Sequence, residues 1–228
     1  MSARDAILGK IRRSLGADAS DPARRAAVTS RLELAPLGVI PARGQLPQAE
    51  RVALFCTMAK KLLASVERVS GYDAVPETVA GYLRNNNLPA AVRMGADERL
   101  SSMPWVEQRA LEISRGPSDG DDAVGVSHAG SGVAETGTLV LTSGGDNPTT
   151  INFLPDHHIV VVSAADIEGD LESALAKIRE RYGKGEMPRT VNLISGPSRS
   201  GDIEQKLILG AHGPRALHII VVDEPGVS

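Results

Sequence analysis

The second half of this chain is built from short runs of valine, isoleucine and leucine separated by glycine-bearing turns, a pattern that leaves few folds open. Residues 110–113, 123–126, 137–142, 158–163, 191–194 and 217–222 are too short for packed helices and read as strands. Between two of them, residues 167–181 keep a helical period. Leu171, Leu175, Ile178 and Tyr182 fall on one face, and Glu172, Lys177, Arg179 and Glu180 on the other. Val-rich strands alternating with helices predict an α/β domain with a largely parallel sheet flanked by helices. Such a sheet is expected to carry its functional loops at the carboxyl ends of the strands.

The first half supplies further helices. Ile7, Ile11 and Leu15 repeat every four residues among Lys10, Arg12 and Arg13, and Gly16 follows, which predicts a short basic amphipathic helix. Residues 17–48 show little periodicity and read as a linker, so residues 1–48 form an N-terminal helix and arm, and residues 49–228 the α/β domain. The apolar spacing predicts a helix over 50–69 that buries Cys56, a second over 77–85, and a strand over 90–94.

Composition narrows the function. The formal charge is −3 and Trp, Tyr and Phe together number six, so the chain has neither a phosphate-neutralising surface nor stacking platforms, and nucleic acid is not its expected partner. Cys56 is the only cysteine, which excludes an intramolecular disulfide, and the opening MSARDAILGKIRRSLG is charged where a signal peptide needs an apolar core. The expected compartment is the cytoplasm. No apolar run approaches the ~18–20 residues that span a bilayer. Five histidines without H-x-x-x-H spacing and a single cysteine predict no metal site.

Three loops can carry chemistry. In AETGTLVLTSGGDNP, Glu135 precedes a buried strand, either satisfied by nearby backbone N–H groups or poised as a nucleophile or base; Thr136 and Gly137 form its turn, and Gly144 and Gly145 the turn beyond. In SGPSRSGDIE, glycines allow N–H groups to converge, Ser198 and Ser200 offer hydroxyls, and Arg199 a guanidinium. A helix capped by Asp202 with Gln205 three residues on, ending at Gly210, would add its positive end, giving a candidate anion cradle. The alternative is that Arg199 pairs with an internal carboxylate. In GAHGPRALHIIVVD, His212 sits in a turn before the last strand, the histidine best placed to reach a site, while His157 and His158, adjacent at a strand start, point to opposite faces.

In order, GVAETGTLVLTSG (132–144), INFLPDHHIVVVSAADI (151–167), ISGPSRSGDIE (194–204) and GAHGPRALHIIVVD (210–223) closely resemble the LUD domain of the lactate-utilisation protein C family. The resemblance implies a fold similar to the NagB/RpiA/CoA-transferase-like proteins. It also implies a non-redox subunit or accessory of L-lactate oxidation to pyruvate, working beside sister subunits that carry the iron–sulfur clusters, with no cofactor bound by this chain. On that basis Glu135, Thr136, Ser198, Arg199 and His212 are expected to form one face that binds an anionic metabolite or a partner. The alternative is a stand-alone acyl-transfer enzyme resembling the CoA-transferases, with Glu135 as nucleophile and Gly144 and Gly145 as oxyanion donors.

Overall fold

A computed structural model of the chain describes residues 2–16, 18, 20–201 and 207–223. Its helices are α1 (Ala3–Leu15), α2 (Pro22–Leu34), α3 (Gln48–Lys61), α4 (Val75–Asn85), α5 (Glu98–Ser101), α6 (Thr149–Phe153) and α7 (Leu171–Tyr182). Its strands are β1 (Ser65–Val69), β2 (Ala91–Met94), β3 (Glu112–Arg115), β4 (Val124–His128), β5 (Ser131–Val133), β6 (Thr138–Thr142), β7 (His157–Ser163), β8 (Ile167–Glu168), β9 (Val191–Ile194), β10 (Arg199–Gly201), β11 (Leu207–Leu209) and β12 (Ala216–Val222).

Six strands in the order β1-β12-β7-β4-β2-β3 form a parallel sheet, as the alternating pattern predicts. Its central strands are wholly buried, which is why they read as continuous apolar runs. One face, with Val126, Ile159, Val161 and Ile220, packs on Val75, Val79 and Leu83 of α4. The other, with Val160, Val162, Ile219 and Val221, packs on Val52, Phe55 and Ala59 of α3 and on Leu139 and Leu141 of a second sheet, ordered β8-β5-β6-β9. The far side of that second sheet places Val133 and Val140 against Ala174 and Ile178 of α7.

Two boundaries differ from the periodicity. The helix expected over 50–69 ends at Lys61, and residues 65–69 instead form the edge strand β1, parallel to β12. Leu63, at φ 70°, turns the chain, while the N–H of Ala64 donates to Ala59 and that of Leu63 to Lys60, the Schellman pattern closing a helix without a glycine. The supposed linker contains α2, whose N-cap Asp21 accepts from the N–H of Ala23 at 2.9 Å with Pro22 in the first turn. Neither α1 nor α2 contains a buried residue, and the chain past α2 is tied to α7 by Gly38 N donating to Glu172 at 3.0 Å. No helix among the described residues is long and apolar enough to cross a membrane.

Candidate functional site

A cavity of 280 Å³ opens where the loops after β9 and before β12 meet the first residues of β7 and β12. His158 and Leu217, each second in its strand, line it with Asn152 of α6. The two loops are joined by backbone bonds: Ser198 N donates to Pro214 O at 2.8 Å, and Gly210 N to Ser198 O at 3.0 Å. Gly196, at φ 82°, makes the turn possible; a Cβ there would collide with the Leu62 carbonyl at the end of α3. The site therefore lies at the amino ends of the main strands, not at the carboxyl ends where the fold class places it. The cause is β9: it belongs to the second sheet, and its exit loop folds back over the starts of β7 and β12.

Ser198, Arg199 and His212 all line this cavity. Among the described residues no carboxylate lies within ion-pair distance of the Arg199 guanidinium. Ser200 pairs with Ile208 in the β10–β11 ribbon and does not line the cavity. The helix expected to end at Gly210 is replaced over its last turn by β11, and its cap, Asp202 and Gln205, lies outside the described residues. Thr136 reaches the cavity indirectly: its Oγ1 lies 2.8 Å from Thr138 Oγ1, which lies 2.7 Å from the hydroxyl of Ser195 on the cavity wall.

The remaining predicted residues are elsewhere. Glu135 is buried with its carboxylate at the start of α7, accepting from Leu171 N at 3.4 Å and lying 3.7 Å from Arg43. Its other oxygen, Oε2, faces Arg43 and accepts no hydrogen bond among the described residues. Gly137, at φ 66°, turns against α3, where a Cβ would strike the backbone of Ala59. Gly144 and Gly145 lie beyond the other end of β6, where Gly145 O accepts from Ala96 N at 3.3 Å. At about 3.3 Å per residue, β6 alone holds them roughly 13 Å from the Glu135 turn. Their N–H groups therefore cannot serve an oxyanion formed at Glu135, and the acyl-transfer arrangement is not built.

Three residues that the sequence did not single out as site residues form the cavity floor and the layer beneath it. Ser127 Oγ donates to Asn152 Oδ1 at 2.8 Å and lies 3.0 Å from His158 Nε2. A serine hydroxyl has one proton, so Nε2 must be the donor to Ser127, leaving Nδ1 of His158 as a bare acceptor. Burial pushes the imidazole down to about 3, so it is neutral. His158 Nδ1 and Asn152 Nδ2 are buried without partners among the described residues. Turning the Asn152 amide reverses every bond of the chain yet still leaves one donor and one acceptor unmatched.

A second polar group does sit at the carboxyl ends of the strands. Tyr72 Oη lies 3.0 Å from His128 Nε2, and burial together with the Arg99 charge holds His128 down to about 4. The nearby cleft of 590 Å³ is already neutralised: Arg99 pairs with Asp97 at 3.1 Å and Arg181 with Asp146 at 3.1 Å. Among the described residues Arg199 has no such competitor, which favours the amino-end cavity for an anion. Among the described residues no cluster of three or more His, Cys, Asp or Glu is arranged to hold a metal ion.

Residues 119–222 match the family model described as the LUD domain. The chain carries a LUD domain. Every residue lining the amino-end cavity falls within it. Lactate utilization protein C of Geobacillus sp. (strain WCH70) is 40% identical over 102 residues, 44% of this chain and 42% of that protein. Its namesake in Shouchella clausii (strain KSM-K16) is 36% identical over 101 residues, 44% of each chain. An uncharacterized protein of Neisseria meningitidis serogroup B is 32% identical over 147 residues, 61% of each. The chain thus spans less than half the length of the lactate utilization proteins it matches. The crystal structure of a DUF162 family protein from Deinococcus radiodurans has the same fold, with a TM-score of 0.56 at 21% identity, covering 78% of this chain and 99% of that one.

Proposed function

We propose that this LUD-domain chain serves lactate utilisation in the cytoplasm as a component that holds a small organic anion in the amino-end cavity, beside iron–sulfur oxidoreductase subunits that carry out electron transfer. The observation that carries the reading is that the family match covers every residue of a cavity whose wall carries the Arg199 guanidinium, with no carboxylate partner for it among the described residues. Similarity to proteins named lactate utilization protein C supports the pathway. The exposed apolar residues Ile7, Ile11 and Leu15 on α1 support a partner-facing role for the arm.

The test is genetic and biochemical. Deleting the gene is expected to abolish growth on L-lactate as sole carbon source, with growth restored by the wild-type chain. The tagged chain, purified gently from lactate-grown cells, is expected to bring down iron–sulfur absorbance and lactate-dependent dye reduction. Undiminished growth of the deletion strain on L-lactate overturns the reading.

A further inference from the structure

Parallel pairing of β1 with β12 sets Ser65 beside His218, and Glu67, two residues along the strand, shares the face of Ser65. Ser65 Oγ lies 2.8 Å from His218 Nδ1 and 3.4 Å from the Leu217 carbonyl. The Glu67 carboxylate lies 4.0 Å from Nε2, across the ring. A bare Nε2 would turn its lone pair towards that carboxylate, so the ring proton belongs on Nε2, and Nδ1 accepts from the serine. Tyr82 holds the imidazole in place: its ring is stacked on that of His218 with centroids 4.4 Å apart, and its hydroxyl lies 2.9 Å from His157 Nδ1. Ser65 and Glu67 are exposed, His218 is buried, and all three line a cleft of 680 Å³ between β1, β12 and α4, across Pro197 and Leu217 from the Arg199 cavity.

We propose that this cleft is a hydrolytic site for short-chain carboxylic esters, with Ser65 as nucleophile, His218 as its base and Glu67 as the residue that positions the imidazole. The inference stands apart from the anion-binding reading, since it uses neither Arg199 nor His212. Ser65 Oγ attacks the ester carbonyl carbon while its proton passes to His218 Nδ1, and Glu67 stabilises the imidazolium that forms. Collapse of the tetrahedral intermediate breaks the acyl C–O bond, and the proton on Nδ1 leaves with the alcohol. Water then attacks the acyl-serine and gives a proton to Nδ1, which returns it to Ser65 Oγ as the carboxylic acid departs. β1 is an edge strand of its sheet, and an edge strand presents backbone N–H groups with no strand partner, which can hold the oxyanion. The walls carry Glu77, Thr78, Arg84, Asn85 and Asn86, a polar lining that suits a short acyl chain and not a fatty one.

The experiment pairs turnover of p-nitrophenyl acetate by the full chain with fluorophosphonate labelling, the label being located by mass spectrometry. The chain is expected to hydrolyse the ester and to carry the label on Ser65. Ser65→Ala, at an exposed position, is expected to lose the label and to lower kcat/KM about 100-fold or more, with its urea midpoint unchanged. Glu67→Gln is expected to lower kcat about tenfold while leaving KM as it is, the mark of a residue that acts through the imidazole and not on the substrate. Hydrolysis that survives Ser65→Ala overturns the proposal, and so does a chain that neither turns over the ester nor takes the label on Ser65. Undiminished kcat in Glu67→Gln overturns the three-residue relay. None of these outcomes bears on growth of the deletion strain, so this inference and the pathway role stand or fall separately.

Discussion

Arg199 and Glu135 are both charged residues in glycine-bearing turns, yet their surroundings give them different tasks. Arg199 is exposed at the cavity wall, so Arg199→Ala should leave stability within about 0.5 kcal/mol of wild type. Removing a charge-assisted contact should weaken carboxylate binding about tenfold or more. Urea melts set beside titrations separate the two effects, and a large loss of stability without a loss of binding would contradict the assignment. Glu135 is buried between Arg43 and the start of α7, so Glu135→Ala should destabilise the fold by about 1–2 kcal/mol. Incubation of the wild-type chain with acyl-CoA should leave no adduct on Glu135, as mass spectrometry would show. Arg199, Ser198 and His212 were legible because serine, arginine and histidine in glycine loops after or before strands have few structural uses. Asn152, Ser127 and His158 were not, because each alone resembles an ordinary core polar residue. Their meeting is fixed by the β4–β7 pairing, which sets Gly125 beside His158 and Ser127 beside Val160.

Elements were legible where punctuation accompanied periodicity. Strands β6, β7, β9 and β12 stand close to where their apolar runs place them, and α7 begins after the N-cap Asp170, whose carboxylate accepts from Ser173 N at 2.9 Å. The end of α3 was missed because Leu63 occupies the left-handed position that glycine usually marks. That residue is 56% exposed, so little packing is lost on replacing it. Leu63→Gly should therefore stabilise the chain by about 0.5–1 kcal/mol, the relief of a left-handed side chain less the extra freedom of the unfolded state. A fall in the urea midpoint would show that Leu63 packs more than its exposure indicates. Gly137 is the converse case. Its positive φ and its contact with Ala59 leave no room for a side chain, so Gly137→Ala should cost about 2–4 kcal/mol, measured in the same melts, by prising the β5–β6 turn from α3. Helix α2 was missed although its signal, Asp21 followed by Pro22, was present, because the arm around it carries no apolar stripe that its own domain buries.

The whole molecule stacks two sheets, and the cavity exists because the second sheet delivers the β9 exit loop to the amino ends of the first, a relation between distant segments that no local pattern encodes. The same stacking buries four histidines, His128, His157, His158 and His218, and burial holds each below its ordinary range. Burial holds His158 down to about 3 and His218 to about 4, and burial with the Arg99 charge holds His128 to about 4. In the unfolded chain each titrates near ~6.5. Below that pH the unfolded state takes up protons that the folded state refuses, so stability is full above ~6.5 and falls as the solution is acidified towards the folded values. One histidine contributes a slope of about 1.4 kcal/mol per pH unit inside this window, and His128, His158 and His218 together about 4. Below the ordinary carboxylate range the sign stays the same. Burial alone would raise Asp170 and Asp97, but hydrogen bonds to Ser173 and Gln45 in one case, and to Arg99 in the other, hold both carboxyls lower, so their contribution is present above ~4 and is lost as pH falls through the depressed values. Against a net stability of about 5–15 kcal/mol, the histidine slope between pH ~6.5 and ~4 removes on the order of 10 kcal/mol, a large share of the total. Urea unfolding at pH 7, 6 and 5 should show a steadily falling midpoint with an uptake approaching three protons at His128, His158 and His218 together, and His218→Gln should lower that uptake by one. A midpoint unchanged between pH 7 and 5 would mean that the histidines protonate in place, and with it that the core beneath the cavity admits water and the floor is open to solvent.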